Sequence, residues 1–378
     1  MDNRTKRINE IFDKICEKHK INPTKKILGK GGFGIVKEVI YTINNNNTKI
    51  FAGKLTERKE NRKYNESDLI MEFKGPNIMK VNRIFTEVID NVTYDLIIME
   101  KANLRDLKTL IKFIYQNNAL KLIYKTPFVN IIGDNFVRYF LKNVMNGFEC
   151  LDRGDFIHFD IKPQNILICF NLVFKLSDFG LLRNPKQIKI DNDENNLEIP
   201  GGTKGYITPE YYEKDKITKD IVKKQDYFAL GATIFYLKYG YKMLNYNEDL
   251  DDTIRNADSV IESLQITMDE IKTTQGCDKG FIELLCNLIQ YKPEDRPIFE
   301  EIYRNKWLHK YSKEISEIAE NNETEEEKFM LELNKSDFLL EKKQYLDKIK
   351  NNNNNYNNNN NNNNKRNNNQ RHKFIFNI

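Results

Sequence analysis

Residues 157–168 read IHFDIKPQNILI. Apolar runs flank a carboxylate (Asp160), an ammonium (Lys162) and a carboxamide (Asn165). Together these groups can accept a proton, steady a negative charge, and both donate and accept hydrogen bonds. A second stretch, GKGGFGIV at residues 29–36, fits G-x-G-x-x-G-x-V through Gly29, Lys30, Gly31, Gly32, Phe33, Gly34 and Val36. Glycines at this density let a backbone approach phosphate oxygens and offer N–H donors without side-chain obstruction. A third, FAGK, carries Ala52 and Lys54, which strand alternation puts on one face. A flat ring over Ala52 with the Lys54 ammonium at its phosphates accounts for that pairing. Lys54 then needs an anion. Glu66 is the candidate, with Glu72 and Glu60 as alternatives.

These groups need elements to hold them. KKILG, GIVKEVIYTI and TKIFAGKLT, within residues 25–56, read as strands: short β-branched runs punctuated by Gly or Asn. A dinucleotide-binding turn of the same glycine spacing needs a helix directly after it. Here a β-branched run follows, so the glycines join two antiparallel strands as a flap over phosphates. A charged helical stretch is expected over residues 57–74, then strands in IMKVNRIFTEVI and YDLIIME. Beyond about residue 103 the pattern turns helical, with apolar residues near the 3.6 period over 134–153, 226–239 and 278–291. Asn44–Asn47 and residues 351–369 are asparagine-rich tracts, which cannot bury enough apolar surface to offset ordering entropy and read as loop or disorder.

Composition bounds the partners. The chain has 378 residues, 39% hydrophobic and 30% charged, with net charge +5. That balance suits a globular protein and argues against a dedicated nucleic-acid binder. No apolar run is long enough for a membrane span, and the charged N-terminus lacks a signal core. Five scattered cysteines form no C-x-x-C pair and read as free thiols, so the expected location is intracellular, cytoplasm and nucleus undistinguished.

The motifs continue in order. Asp160, Lys162 and Asn165 fit D-x-K-x-x-N. KLSDFGLL follows with Asp178-Phe179-Gly180, then GGTKGYITPE (201–210), DYFALGATIFYLKYG (226–240) and PEDRP (293–297). This ordered set resembles the catalytic domain of eukaryotic-type protein kinases over roughly residues 21–312. The resemblance implies an α+β, two-lobed protein-kinase fold: a small N-terminal antiparallel β-sheet lobe with one main helix (about 21–101) and a larger, mainly α-helical C-terminal lobe (about 102–312). Residues 1–20 are then an N-terminal extension, 313–350 a charged tail with a helix as one reading, and 351–378 an Asn-rich tail expected to be disordered.

The resemblance also implies roles. ATP and Mg2+ are the expected nucleotide and metal, and proteins carrying Ser or Thr the expected partners. Lys54 would pair with phosphates and Glu66. Asp178 and Asn165 would hold Mg2+. Asp160 would take or orient the hydroxyl proton, and Lys162 would steady the transferred group. Met99 falls at the gatekeeper position, Glu100 to Ala102 form the hinge, and Asp106 looks like the ribose-binding acid. Val36, Ala52 and Leu167 would sandwich adenine. Ile70, Val81, His158 and Phe179 look like the hydrophobic column seated on Asp226, and Glu210 and Arg296 like a buried ion pair. Lys162 and Thr203 match the serine/threonine pattern. One departure stands out: Phe159 replaces the arginine usual before the catalytic aspartate, while residues 181–202 contain no Ser, Thr or Tyr. The expectation is a kinase that needs no activation-loop phosphate. The alternative is a pseudokinase or ATP-binding scaffold.

Overall fold

Apolar residues at every second position build the first sheet. β1 (Asn22–Gly31), β2 (Gly34–Thr42), β3 (Thr48–Glu57), β4 (Val81–Ile89) and β5 (Val92–Met99) are antiparallel neighbours in the order β1-β2-β3-β5-β4. The computed structural model describes residues 3–31, 34–43, 48–59, 65–71, 73–116, 132–169, 172–185, 201–213, 218–244, 257–274 and 276–309. Gly32, Phe33, the Asn44–Asn47 run, Glu60, Glu72, most of the 181–202 segment and both tail segments lie outside the described residues.

Each strand divides its residues between two faces, as a two-residue period requires. Ile35 and Val39 of β2, Phe51 and Leu55 of β3, and Leu96 and Ile98 of β5 share one buried cluster. Ala52 of β3 and Ile97 and Met99 of β5 belong to another, with Leu28, Val36, Val81 and Ile84 packed against it. The first cluster is closed by the segment expected as an N-terminal extension. α1 (Asn3–Lys18) lays Ile11, Phe12, Ile15 and Cys16 onto the sheet. Its polar side adds Lys37 Nζ donating to Asp13 Oδ1 at 2.9 Å, and Lys37 lies 4.6 Å from the Phe12 ring centroid. Gly53 follows from this docking. A Cβ there would stand 3.2 Å from Phe12 Cζ and 3.1 Å from Val39 Cγ1. Gly34 is required differently: its φ is +144°, and a Cβ would fall 1.9 Å from the Leu55 carbonyl oxygen.

The helix expected over 57–74 is shorter in the described residues. β3 stays extended to Glu57, and only α2 (Glu66–Ile70) is helical, its start marked by the Asp68 carboxylate accepting the Asn65 N–H at 2.8 Å. The chain divides into two compact units. The first comprises Met1–Leu107, Asn143–Thr203 and Lys216–Asp226. Besides the five-stranded sheet it holds the hairpin of β6 (Ile166–Cys169) and β7 (Val173–Leu176). Asn77 ties the strand entry to that hairpin, accepting the Leu176 N–H at its carbonyl (2.9 Å) and donating Nδ2 to Phe174 O (2.8 Å).

The second unit comprises Lys108–Lys142, Lys204–Asp215 and Tyr227–Ile378 and is helical where described. Its elements come from α3 (Leu107–Gln116), α4 (Asp134–Arg153), α5 (Pro209–Glu213), α6 (Lys219–Tyr239), α7 (Ala257–Lys272), α8 (Lys279–Leu288), α9 (Phe299–Tyr303) and α10 (Lys306–His309). The 3.6-period stretches over 134–153 and 278–291 match α4 and α8, and α6 begins ahead of the stretch over 226–239. Arg296, 1% exposed, donates Nη1 and Nη2 to the two oxygens of Glu210 at 2.6 and 2.7 Å, the pair expected from sequence. No helix among the described residues is long and apolar enough to cross a membrane.

Candidate active site

The predicted lysine and its anion meet. Lys54, in mid-β3, is nearly buried on the face it shares with Ala52. Its Nζ donates to Glu66 Oε1 (2.7 Å) and Oε2 (2.6 Å), and to Asp178 Oδ1 (2.8 Å). The ambiguity among three glutamates therefore resolves to Glu66, the first residue of α2. Beside Lys54 lies the apolar cluster of Ala52, Ile97 and Met99 with Leu28, Val36 and Val81, a surface that could receive a flat ring. Glu100 is fixed in place: its N–H donates to Lys80 O, and its Oε1 accepts from Lys80 N and Lys175 Nζ, each at 2.6 Å. Past Ala102, the chain pairs with β6. Leu104 N–H donates to Ile168 O at 3.0 Å, Ile168 N–H donates to Arg105 O, and Asp106 bridges to Leu167.

The opening motif forms one hydrogen-bonded group. Asp160 Oδ1 accepts from Thr203 Oγ1 at 2.6 Å, and Oδ2 accepts from Lys162 Nζ at 2.7 Å. Lys162 also donates to Thr203 Oγ1 at 2.7 Å. Asn165 Nδ2 donates to the Asp160 carbonyl and to its Oδ2, both at 2.8 Å, which leaves its amide oxygen as the acceptor for a cation. The loop is aimed by Asp226, whose two oxygens accept the N–H groups of His158 (2.6 Å) and Phe159 (2.9 Å). His158 accepts the Asp160 N–H at Nδ1, and its Nε2 lies 2.9 Å from Ser177 O.

Two non-glycine residues here sit in the left-handed region, Phe159 at φ 63° and Asp178 at φ 60°. A bulky residue with positive φ is strained and persists only when its surroundings over-determine it. Phe159 is buried among Ile157, Leu181 and Val222, with Ile221 against them. Phe179, just after Asp178, meets His158 at 5.2 Å and stacks on Phe73 at 5.9 Å between centroids.

Charge is tuned at the same place. Burial works to raise the Asp178 carboxyl, but the Lys54 ammonium, helped by His158 and Lys162, holds it below the ordinary value. Burial pulls Lys54 down, and Glu66 and Asp178 outweigh it and raise its pKa. Both groups are thus charged at neutral pH. Among the described residues no cluster of three or more His, Cys, Asp or Glu could hold a metal alone. Asp178 and Asn165 offer two hard oxygen donors, the kind of partial set that suits Mg2+ completed by phosphates and water. The arrangement can hold a polyphosphate, its cation and a proton acceptor close together, which is what phosphoryl transfer needs.

The structure brings the expected charged residues together and adds neighbours that the motifs do not name. Leu28 packs with Val36 and Ala52; its place just before Gly29 was the available signal. Phe73 stacks on Phe179, and Ile70, the residue expected in the column, is buried in α2. Lys30 turns the other way: its Nζ donates to Thr5 Oγ1 of α1 at 2.7 Å.

Comparison with known proteins agrees with this geometry. The protein kinase domain family matches residues 23–308. An Aurora kinase of Saccharomyces cerevisiae is 28% identical over 293 residues, covering 75% of this chain and 68% of that one. Mitogen-activated protein kinase 15 of Xenopus laevis is 25% identical over 337 residues, 82% of this chain and 53% of that one. A probable serine/threonine-protein kinase, ireA, of Dictyostelium discoideum is 27% identical over 186 residues, 49% of this chain and 17% of that one. The chain thus spans about half, or much less, of the length of some relatives. With a family match across most of its length and the motif residues converging as that family's do, the chain belongs to the eukaryotic-type protein kinases.

Proposed function

We propose that this chain is a serine/threonine protein kinase that moves the γ-phosphoryl group of ATP to a hydroxyl of a protein substrate. One observation carries the reading: Lys54, Glu66 and Asp178, from three separate motifs, meet around a single ammonium. Adenine lies between Leu28, Val36 and Ala52 on one side and Leu167 on the other, with Met99 behind it and the backbone of Glu100 to Ala102 at its edge. Asp106 faces the ribose. The glycine hairpin from Gly29 to Gly34 covers the phosphates, and Lys54 grips them. The substrate hydroxyl oxygen forms a bond to the γ-phosphorus as the bond to the β–γ bridging oxygen breaks. Asp160 receives the hydroxyl proton, ADP leaves, and Lys162 steadies the moving group. Mg2+, held by Asp178 and Asn165, supplies neutralisation of the phosphate charge when bound. The serine/threonine preference is supported by the Thr203–Asp160–Lys162 triangle.

The reading extends to regulation: activity needs no activation-loop phosphate. An arginine at position 159 would be a buried cation awaiting a phosphate. Phe159 instead fills an apolar cluster with Ile157, Leu181 and Val222, and no hydroxyl-bearing residue occurs over 181–202. Removing both partners of a buried charge pair can be energetically neutral.

The test is transfer from Mg-ATP to generic protein substrates by phosphatase-treated enzyme, with Asp160→Asn alongside. Serine or threonine phosphorylation that Asp160→Asn lowers by about 10²–10⁴ is expected if Asp160 acts as general base. Activity restored only by a phosphate mapping to residues 181–210 removes the regulatory part. No transfer under any condition supports the pseudokinase alternative, and ATP binding that persists without transfer supports its ATP-binding scaffold form.

A further inference from the structure

A helix of five residues cannot hold itself. α2 closes about one turn, and helices this short depend on outside contacts. Yet its first residue, Glu66, must stay on Lys54. The side chains next to Glu66 are tied as tightly as Glu66 is. Asp68 accepts both Nη2 bonds of Arg58, at 2.7 and 2.9 Å. Ser67 Oγ donates to Asp95 Oδ2 and accepts from Arg58 Nη1 at 3.0 Å. Arg58 Nη1 also reaches Asp95 Oδ2 at 3.0 Å, and Thr86 Oγ1 donates to Asp95 Oδ1 at 2.6 Å. Just before the helix, Asn65 Oδ1 accepts the Lys59 N–H at 2.8 Å.

The layout is a two-point attachment. One chain segment carries Lys54 within β3 and Arg58 just past its end. One helix carries Glu66 and Asp68. Lys54–Glu66 is the functional tie, and Arg58–Asp68 runs beside it. Asp95, on β5 and fully buried, anchors the second tie through Arg58 and Ser67. Turning α2 away would break both Arg58 Nη2 bonds to Asp68 and take the Ser67 hydroxyl from the buried Asp95 carboxylate, which would lose one of its donors.

We infer that Arg58, Ser67, Asp68 and Asp95 form a latch that keeps Glu66 on Lys54, making Arg58 and Asp95 positioning residues of the phosphoryl transfer. The inference rests on the kinase reading and explains how α2 stays in place without a contribution from a phosphorylated segment.

The experiment is a double-mutant cycle between Arg58→Met and Glu66→Gln, read as kcat and KM for ATP. Arg58→Met lowers kcat by about tenfold or more in the parent enzyme, and has less than about a twofold effect once Glu66→Gln has removed what the latch positions. Arg58→Lys, which keeps the charge and loses the fork, recovers part of the loss. Asp13→Asn, which breaks the Lys37 pair on the sheet's other face, lowers the melting temperature and leaves kcat unchanged. Multiplicative losses from Arg58→Met and Glu66→Gln, or a lower melting temperature with normal kcat in Arg58→Met, overturn the latch. If the parent enzyme transfers no phosphate, the kinase reading fails by itself. The same cycle read as calorimetric affinity for a non-hydrolysable Mg-ATP analogue then decides: non-additive losses support the latch, and additive or absent losses overturn it.

Discussion

Phe12 and Gly53 should behave as one packing unit, although 41 positions separate them. Phe12 is fully buried between α1 and the sheet, so Phe12→Ala opens a cavity that the rigid strands below cannot close, costing about 3–5 kcal/mol. Gly53→Val is the converse. Its Cβ starts 3.1–3.2 Å from Val39 and Phe12, and its methyls come closer still, so overpacking costs about 1–3 kcal/mol in the parent chain. In the Phe12→Ala background the same valine enters vacated space, so the pair should deviate from additivity by at least about 1 kcal/mol, toward stability. Tryptophan fluorescence is the wrong assay, because Trp307, the chain's one tryptophan, belongs to the second unit. Hydrogen exchange of the amides of residues 34–57 reports on the sheet itself. Phe12→Ala should speed the slowest of them by about 10²–10⁴. Additive effects within about 0.5 kcal/mol, or a Phe12→Ala cost below about 1 kcal/mol, would refute the claim that α1 is part of this core.

Other outcomes follow from the buried charges. Burial pushes the Asp226 carboxyl up to about 6, against the opposing pull of His158 and the N–H groups of His158 and Phe159. A raised carboxylate means the folded chain binds the extra proton between about pH 4 and 6. Stability should therefore fall as pH rises through that window, by up to about 3 kcal/mol relative to Asp226→Asn, and a flat difference across it excludes the assignment. Arg296→Met leaves Glu210 buried and alone, costing about 3–5 kcal/mol, whereas Arg296→Met with Glu210→Leu should cost clearly less; equal losses on chemical denaturation would contradict this. Thr203→Ala removes the hydroxyl shared by Asp160 and Lys162 and should lower kcat by about tenfold, with Thr203→Ser restoring most of it, in steady-state assays on a serine substrate.

What the sequence displayed and what it concealed divide along a physical line. Lys54, Asp160, Lys162, Asn165 and Asp178 were legible because transferring a phosphoryl group demands those residue types, and few spacings let short loops deliver them. Ala52 and Lys54 on one face followed from strand alternation alone. Glu66 could be narrowed to three candidates only, since choosing among them requires the start of α2, and α2 begins where Asp68 accepts the Asn65 N–H. α1 was written as Ile8, Ile11, Phe12 and Ile15, at helical spacing, but dense charge between them hid it. Gly53, between Ala52 and Lys54, carries no local sign of its role. Its reason is a ring supplied from the N-terminus, and no local rule can name a partner that far along the chain.

The same line explains why the site holds residues that local rules disfavour. Phe159 and Asp178 adopt backbone angles that neither prefers. Each is held by bonds from elsewhere: Phe159 by the Asp226 carboxylate on its N–H and an apolar cluster on its ring, Asp178 by Lys54 on its oxygen. Relaxing either φ would turn these groups from their partners. It would also move Asp160, whose N–H rests on His158, and Asn165, whose carbonyl accepts both the N–H and Oγ of Ser177. The strain at two residues is thus offset by a network that fixes the acid, the amide and the ammonium together. In this fold the polar groups of the opening motif are positioned less by the chain beside them than by Asp226 and Thr203 beneath and across from them.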